Sequence, residues 1–252
     1  MIALEAVEFF IGQHHIIRDV SFRVEAGTTK VILGASGSGK STLLRLMMGF
    51  YLPNSGRVLI DGEDTARMSA HQLREMRKTF GMVFQEGALF DSMTVGENVG
   101  YALFEERKHD PADIEARVRD ILNFLGLGEQ LIDRMPDQLS GGMQRRVAVG
   151  RAIAAHNPRF MLYDEPTTGL DPLTVDTITE LITKLQREKG VTSVMVTHEL
   201  IDALKVGDSF LVLNEGQVMF DGSDRELWAS TQPYVVQYLA PFRRALKEHA
   251  LV

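Results

Sequence analysis

The feature that most constrains the fold of this chain is a glycine-rich stretch that follows an apolar run at 31–33 and precedes another at 43–48. This order predicts a strand, a tight turn and the start of a helix. Glycines permit backbone torsions that turn successive N–H groups toward one anion, and the helix start adds its unpaired amides. The stretch is therefore predicted to bind phosphate groups, and it comprises Gly34, Ala35, Ser36, Gly37, Ser38, Gly39, Lys40, Ser41 and Thr42.

Two side chains of this loop have predicted roles in nucleotide binding. Lys40 can reach the β- and γ-phosphates, and the Ser41 hydroxyl can ligate Mg²⁺. The alternative is an ordinary glycine-rich turn, and residue frequencies give this pattern by chance in about one chain in a hundred of this length. Because a strand and a helix are predicted on either side, we favour nucleotide binding.

Composition restricts the class of protein. With 252 residues, 44% of them hydrophobic and 24% charged, the chain is typical of a soluble globular protein with one large domain or two small lobes. The net charge of -7 argues against nucleic acid as the main partner. The chain has no cysteine and no apolar run near the roughly 20 residues that span a bilayer. We expect no secretion signal, because the first residues have neither a basic start nor a long apolar core. We expect a cytosolic chain that reaches a membrane only through a partner.

Two acidic residues, Asp164 and Glu165, directly follow an apolar run at 160–163. Carboxylates at the end of a buried strand are costly unless a cation or a water needs them. We interpret Asp164 as a residue that holds the solvation shell of Mg²⁺, and Glu165 as the group that polarises the attacking water. The alternative is a solvated strand end.

Two more polar residues end apolar runs, His198 after 194–197 and Gln85 after 80–84. Ligands of open α/β sheets bind at the carboxyl edge of the strands. His198 is therefore predicted to contact the γ-phosphate. Gln85 is predicted to lie at the same edge, although most glutamines in such a place are simply solvated.

A helical lobe is predicted between the strands, because apolar residues recur with helical spacing from about 87 to 139. Thr94 and Glu97 form a capping box, and Asp110 precedes a proline at a first helical position. Another helix is expected to begin at Asp171 and to end at Gly190.

Ser140, Gly141 and Gly142 open a further helix, which is expected to end at 157–158. Each glycine in a helix costs about 1 kcal/mol, so we favour close approach of the backbone to an anion over a purely structural role. Two flexible glycines at a lobe junction are the alternative.

The two ends of the chain are predicted from shorter patterns. Residues 2–24 indicate two or three antiparallel strands, in which Phe9 and Phe10 are candidates for stacking on adenine, with core packing as the alternative. Short helices are expected from Asp224 and from Pro233, with Pro241 breaking the last one.

These elements, in this order, resemble the ATPase subunit of an ABC transporter over nearly the whole chain. The matching motifs are the Walker A loop at 34–42, the Q-loop at Gln85, the family signature at 139–144, the Walker B strand at 160–165, the D-loop at 169–171 and the switch histidine at His198.

The resemblance implies an α/β fold: a P-loop NTPase core with a mixed sheet, an N-terminal antiparallel β subdomain and an inserted helical subdomain. It implies one ABC ATPase domain over 1–252. The RecA-like core would comprise about 1–86 and 158–222, the helical subdomain about 87–157, and a C-terminal helical segment about 223–252.

The resemblance also implies a mechanism that uses ATP and Mg²⁺. Two copies would pair head to tail, each ATP lying between the Lys40 loop of one copy and Ser140, Gly141 and Gly142 of the other. Glu165 would be the general base, and hydrolysis would release the dimer. The remaining implied roles are γ-phosphate contact for His198, Mg²⁺ ligation for Ser41, Gln85 and Asp164, and a place in the nucleotide site for Asp171.

The chain departs from the family pattern at two positions. Ile11 stands where an aromatic residue usually stacks on adenine, which leaves Phe9 or Phe10 as substitutes. Met143 replaces the usual glutamine of the signature, a change that keeps both glycines and should not abolish ATP binding.

The segment at 84–95, with the Leu-Ser-Gly-Gly-Met signature, resembles the Mla-type ATPases that power phospholipid traffic between bacterial membranes. This resemblance implies integral membrane permease subunits, a lipid-binding partner reached through the permease, and a peripheral location at the cytoplasmic face of the inner membrane. Importers of amino acids or other small solutes are the nearest alternative. A non-transport ABC ATPase acting on DNA or ribosomes is a second, which the single cassette and the acidic balance disfavour.

Overall fold

The computed structural model describes residues 1–85, 87–107, 109–154 and 158–249, with the side chains of 245–249 excluded. The strands in these ranges are β1 (Ile2–Ile11), β2 (His14–Val24), β3 (Thr29–Leu33), β4 (Ser55–Ile60), β5 (Glu63–Asp64), β6 (Phe80–Val83), β7 (Phe160–Asp164), β8 (Thr192–Thr197), β9 (Ser209–Asn214) and β10 (Gln217–Gly222). The α-helices are α1 (Lys40–Met47), α2 (Ala70–Lys78), α3 (Val95–Glu106), α4 (Pro111–Phe124), α5 (Gly141–Ala154), α6 (Pro172–Lys189), α7 (Leu200–Val206), α8 (Asp224–Ala229) and α9 (Pro233–His249).

Two sheets organise the chain. The antiparallel sheet has the order β2-β1-β4-β5, and the mixed sheet has the order β10-β9-β3-β8-β7-β6. Strands β9, β3, β8, β7 and β6 run parallel, and only β10 pairs antiparallel with its neighbour. In register, Leu33 lies opposite Thr197 and Asp164 lies opposite Val196. The carboxyl ends of the central parallel strands therefore meet at one edge, as predicted.

The mixed sheet is a middle layer with a core on each face. Successive side chains of a strand point to opposite faces. Accordingly, Val31 and Leu33 pack with the helical lobe, whereas Ile32 between them packs with the antiparallel sheet and α1. All three are fully buried. Burial of one such side chain contributes about 1.5–3 kcal/mol, so both layers are held firmly against the sheet.

The predicted helical lobe is present as α3, α4 and α5. Thr94 and Glu97 form the capping box of α3, and Asp110 accepts a hydrogen bond from the Ala112 N–H at the start of α4. The buried face of α4 consists of Ile114, Val118, Ile121 and Leu122. Helix α6 begins after Asp171 and ends at Gly190, as predicted.

The prediction that Pro241 breaks the last helix was wrong, because α9 continues through it. An internal proline costs about 3 kcal/mol through the lost N–H donor and a clash with the preceding turn. Contacts on both sides of it hold the helix: Leu239 is fully buried, Tyr238 packs on Phe242, and Arg243 Nη2 donates to the Trp228 carbonyl over 2.6 Å.

Three details of the sequence predictions lie outside the described residues: Glu86 in the segment 84–95, the helix end at 157, and the last three positions of the C-terminal segment. Across the described ranges, no helix combines the length and the apolar character needed to cross a bilayer.

Candidate functional site

The glycine-rich loop between β3 and α1 is closely packed. Gly37 and Gly39 have φ values of +79° and +105°, which side-chain-bearing residues rarely adopt. A Cβ on Gly34 would lie 2.3 Å from the Leu213 carbonyl oxygen. The Ser38 hydroxyl is buried and has no hydrogen-bond partner in the described part of the chain. A buried hydroxyl in this position is suited to an anion such as phosphate.

Lys40 points into the loop from the first turn of α1. Its Nζ donates to the Gly34 carbonyl at 2.8 Å and to the Ala35 carbonyl at 3.1 Å, and it lies 3.4 Å from Oε1 of Glu165. The residue is only 6% exposed. A buried ammonium requires such partners, and a phosphate oxygen would be another.

A hydrogen bond between Ser41 and Asp164 connects the start of α1 with the end of β7. The Ser41 hydroxyl donates to Oδ1 of Asp164 over 3.0 Å. Burial raises the pKa of Asp164 above its usual value, and the hydrogen bond from Ser41 opposes that shift. Hydroxyl and carboxylate oxygens are the donors that Mg²⁺ prefers, so these two side chains fit the expected metal.

Glu165 is buried at the centre of the site. Its backbone adopts φ +49°, a conformation uncommon for residues other than glycine. Oε1 faces Lys40, while Oε2 lies 2.9 Å from Nδ1 of His198 and accepts a hydrogen bond from the Thr168 hydroxyl at 3.0 Å. The site therefore holds one carboxylate between a cation, an imidazole and a hydroxyl.

His198 directly follows β8, and its side chain is half-exposed. Besides its contact with Glu165, Nε2 lies 3.2 Å from Oε1 of Glu199. The hydroxyl of Tyr238 donates to the His198 carbonyl over 3.1 Å. Neither Thr168 nor Tyr238 was singled out in the sequence. Thr168 could have been found from its position three residues after Glu165, but nothing local marks Tyr238.

Gln85 follows β6 at the same edge of the sheet and is exposed. In the described ranges, no hydrogen bond joins it to Ser41 or Asp164. The neighbouring carbonyl of Phe84 accepts a hydrogen bond at 3.2 Å from Arg145 on α5, whose guanidinium also donates to the Thr168 carbonyl at 3.3 Å. Arg145 thus connects the helical lobe with the segment after β6 and with the segment after β7. Nothing in the local sequence pattern predicted this contact.

Ser140, Gly141 and Gly142 lie at the start of α5, where the Ser140 hydroxyl accepts a hydrogen bond from the Met143 N–H at 3.3 Å. A Cβ on Gly142 would lie 2.2 Å from Cγ2 of Thr174, so packing alone requires this glycine. A structural role therefore accounts for Gly142 but not for Gly141, and close approach of the pair to an anion stays a prediction. Gly141 is exposed, and a Cβ there would make only an ordinary contact, at 3.6 Å from Cδ2 of Leu170.

Asp171 lies beside this cluster as the N-cap of α6. It accepts hydrogen bonds from the Thr174 N–H at 3.1 Å and the Thr174 hydroxyl at 2.6 Å, and these bonds lower its pKa. In the described part of a single chain, no hydrogen bond connects Asp171 or the 140–142 turn to the Lys40 loop. The sequence-predicted residues therefore form two separate groups.

The two candidates for stacking on adenine differ in accessibility. Phe9 is 8% exposed and its ring stacks on Tyr51 at 5.0 Å, which places it in the core. Phe10 is 40% exposed and stacks on the His15 ring at 4.1 Å. Of the two, only Phe10 offers a face near the surface.

Comparison with known proteins gives a family match over residues 17–168, described as ABC transporter. The phospholipid-transport ATP-binding protein MlaF of Escherichia coli K12 is 38% identical over 95% of this chain and 88% of its own length. The methionine import ATP-binding protein MetN of Corynebacterium glutamicum is 42% identical over 87% of this chain. The chain spans 60% of the length of that MetN.

Two solved structures are similar in fold. The ATP-binding cassette MJ0796, a dimer in a post-hydrolysis state bound to ADP and Pi, has a TM-score of 0.79 and 33% identity, covering 88% of this chain and 98% of its own. The cbiO1 protein of Clostridium perfringens, part of the transporter complex cbiONQ, has a TM-score of 0.83 and 29% identity, covering 98% of both chains. Since the family match spans more than half of the sequence and MlaF aligns over nearly all of it, this chain belongs to the ABC transporter family as an ATP-binding subunit.

Proposed function

We propose that this chain binds ATP with Mg²⁺ and hydrolyses it to drive transport. The observation that carries this proposal is the position of Glu165, whose carboxylate lies between Lys40 and His198 at the carboxyl edge of the sheet. A general base must lie close to the reacting phosphate and must be held in a fixed orientation. Glu165 meets the first requirement because it contacts Lys40 of the phosphate loop. It meets the second because His198 and Lys40 hold its two carboxylate oxygens.

Each group at this edge has a role in hydrolysis. Lys40 binds the β- and γ-phosphates, and Glu165 accepts a proton from the attacking water. His198 contacts the γ-phosphate and orients Oε2 of Glu165. Ser41 and Asp164 would hold Mg²⁺, with Gln85 as a further ligand, and the metal would supply positive charge beside the phosphates.

The nucleotide site requires a second copy of the chain. Ser140 and Gly141 are exposed and lie in a group separate from the Lys40 loop. In a head-to-tail dimer, the 140–142 turn of one copy would close over ATP bound to the other, with Asp171 beside it. The dimeric state of MJ0796 supports this arrangement.

A membrane permease is the proposed partner on the lobe side of the sheet. A groove of about 610 Å³ runs between β6 and α3, and its lining includes Phe84, Phe90, Tyr101 and Arg151. Arg151 donates to the carbonyls of Gly87 and Ala88 and lies 5.4 Å from the centre of the Phe90 ring. Gly87, Ala88 and Phe90 are thereby held on α5. We place the chain peripherally at the cytoplasmic face of the inner membrane.

We infer that the transported substrate is phospholipid, moved between bacterial membranes with a lipid-binding protein as a further partner. Two observations support this: the Mla-like segment at 84–95, and the alignment of MlaF with 95% of this chain at 38% identity. The 42% identity to MetN keeps import of an amino acid as the second candidate. The net charge of -7 disfavours nucleic acid as a partner.

The substrate is tested by purifying the chain with its native partners from detergent-solubilised membranes and analysing partners and co-purified lipids by mass spectrometry. A matched preparation from cells without the tagged chain gives the lipid background. We expect a permease, a lipid-binding partner and enriched phospholipid. A solute permease without enriched lipid would overturn the phospholipid assignment and leave the ATPase assignment standing.

A further inference from the structure

The C-terminal helix α9 is anchored against the catalytic edge of the sheet. Val235 and Leu239 on one face of the helix are fully buried. Arg243 Nη2 donates to the carbonyl of Trp228 in α8, which fixes α9 relative to the preceding helix.

Tyr238 is the residue through which α9 reaches the site. Its ring packs between Tyr234 and Phe242, with centroid distances of 6.4 Å and 6.5 Å. Its hydroxyl donates to the carbonyl oxygen of His198 over 3.1 Å. Ring contacts on both sides and burial of the neighbouring Leu239 restrict the position of this hydroxyl.

The Tyr238 hydroxyl is protonated at neutral pH, as a hydrogen-bond donor must be. Burial is the main cause that raises the pKa of Tyr238, and the neighbouring charges of Glu165 and Glu199 act in the same direction. The phenol therefore keeps its proton at neutral pH. A phenolate could not donate to a carbonyl oxygen, whereas the protonated hydroxyl keeps this hydrogen bond at neutral pH.

The hydrogen bond acts on a residue whose backbone N–H and Nδ1 both face Glu165. The His198 N–H lies 3.4 Å from Oε2 of Glu165, and Nδ1 lies 2.9 Å from the same oxygen. His198 stands between the end of β8 and the start of α7, outside either element. Its carbonyl is therefore held by a side chain from α9, 40 residues away.

We propose that Tyr238 is a positioning residue for His198: its hydroxyl fixes the His198 peptide, so that the imidazole stays directed at Glu165 and the γ-phosphate. This inference rests on the proposed ATPase function. It assigns the C-terminal helix a part in catalysis, exerted through the backbone of His198 without contact with the nucleotide.

The test compares Tyr238→Phe with Tyr234→Phe in the full-length chain. Both substitutions remove one hydroxyl from a ring of the same stack, but only the Tyr238 hydroxyl bonds to His198 in the described structure. Loss of one such hydrogen bond should lower kcat about three- to tenfold in Tyr238→Phe while KM for ATP changes by less than about twofold. Tyr234→Phe should keep the wild-type kcat.

A double-mutant cycle with His198→Ala tests whether Tyr238 acts through His198. Tyr238→Phe should have no further effect in the His198→Ala background, because the two changes remove the same function. An equal loss in Tyr238→Phe and Tyr234→Phe would overturn the proposal in favour of packing. Wild-type kcat in Tyr238→Phe would also overturn it.

An NMR measurement separates this inference from the proposed ATPase function. In protein labelled with ¹⁵N-histidine, the His198 ring signals are assigned by their loss in His198→Gln. We expect these signals to shift or broaden in Tyr238→Phe and to stay in place in Tyr234→Phe. Unchanged His198 signals would overturn the positioning role. If even the wild-type chain fails to hydrolyse ATP, the ATPase proposal fails and the NMR result still decides the role of Tyr238.

Discussion

The hydroxyl of Thr168 donates a hydrogen bond to Oε2 of Glu165 over 3.0 Å. The same oxygen faces Nδ1 of His198, whereas Oε1 faces Nζ of Lys40. The carboxylate is thus held at both oxygens, and its orientation depends on a residue only three positions further along the chain. Glu165 can approach a water only in the orientation that these partners permit.

Replacing Thr168 by Val should lower kcat about three- to tenfold, because valine keeps the shape of threonine but removes one hydrogen bond to Oε2. The affinity for ATP should stay unchanged, since Thr168 lies outside the phosphate loop. Steady-state ATP hydrolysis and equilibrium ATP binding measure the two effects. Thr167→Val is the matched control, because the Thr167 hydroxyl is buried without a hydrogen-bond partner in the described residues. A similar loss in both variants would contradict the assignment.

Replacing Glu165 by Gln should lower kcat about 100-fold or more, because an amide cannot accept the proton from water. ATP binding should persist, since the substitution preserves shape and leaves Lys40 in place. Size-exclusion chromatography with ATP should then show an accumulated dimer. Glu199→Gln, next to the other nitrogen of His198, is the control and should have a far smaller effect. Turnover at the wild-type rate in Glu165→Gln would exclude Glu165 as the base.

The raised pKa of Asp164 predicts how its substitution changes stability with pH. Because the folded state disfavours the ionised carboxylate, Asp164→Asn should stabilise the metal-free protein near pH 7. This advantage should disappear as the pH falls through the raised pKa, where the folded wild type takes up a proton. Urea unfolding over about pH 5 to about pH 8 measures the difference in unfolding free energy.

Asp171 supplies a control of opposite sign for that experiment. Its capping hydrogen bonds lower its pKa, so the stability it contributes is present at neutral pH and is lost as the pH falls through the lowered value. Asp171→Asn should therefore destabilise the protein at neutral pH. If Asp164→Asn and Asp171→Asn changed stability in the same direction at neutral pH, burial would not be the dominant influence on Asp164.

Replacing Gly142 by Ala should destabilise the protein by about 1–3 kcal/mol, because the new Cβ would lie 2.2 Å from Cγ2 of Thr174. Urea unfolding measures this loss. Gly141→Ala is the matched control, since its Cβ would meet nothing closer than 3.6 Å. Thr174→Ser removes Cγ2 and should restore stability to Gly142→Ala. Equal stability of the two alanine variants would show that the backbone relaxes at Gly142.

Much of the fold followed from local patterns. The caps at Thr94, Asp110 and Asp171 and the polar residues that end β7 and β8 lie where the sequence predicts them. Local patterns also misled at Pro241, where burial of the flanking face outweighs the cost of an internal proline. Of the two glycines at 141 and 142, only the structure distinguishes the one that packing requires.

The sequence by itself determined the family, the glycine-rich turn between β3 and α1, and the residues at the strand ends, because these depend on residue types at fixed local spacing. Only the tertiary structure decided which of these groups meet. Ser41 reaches Asp164 across 123 residues, and Tyr238 reaches His198 across 40. Such contacts depend on the order of strands in the sheet and on the packing of α9. No local pattern encodes either, because burial energy is summed over the whole core.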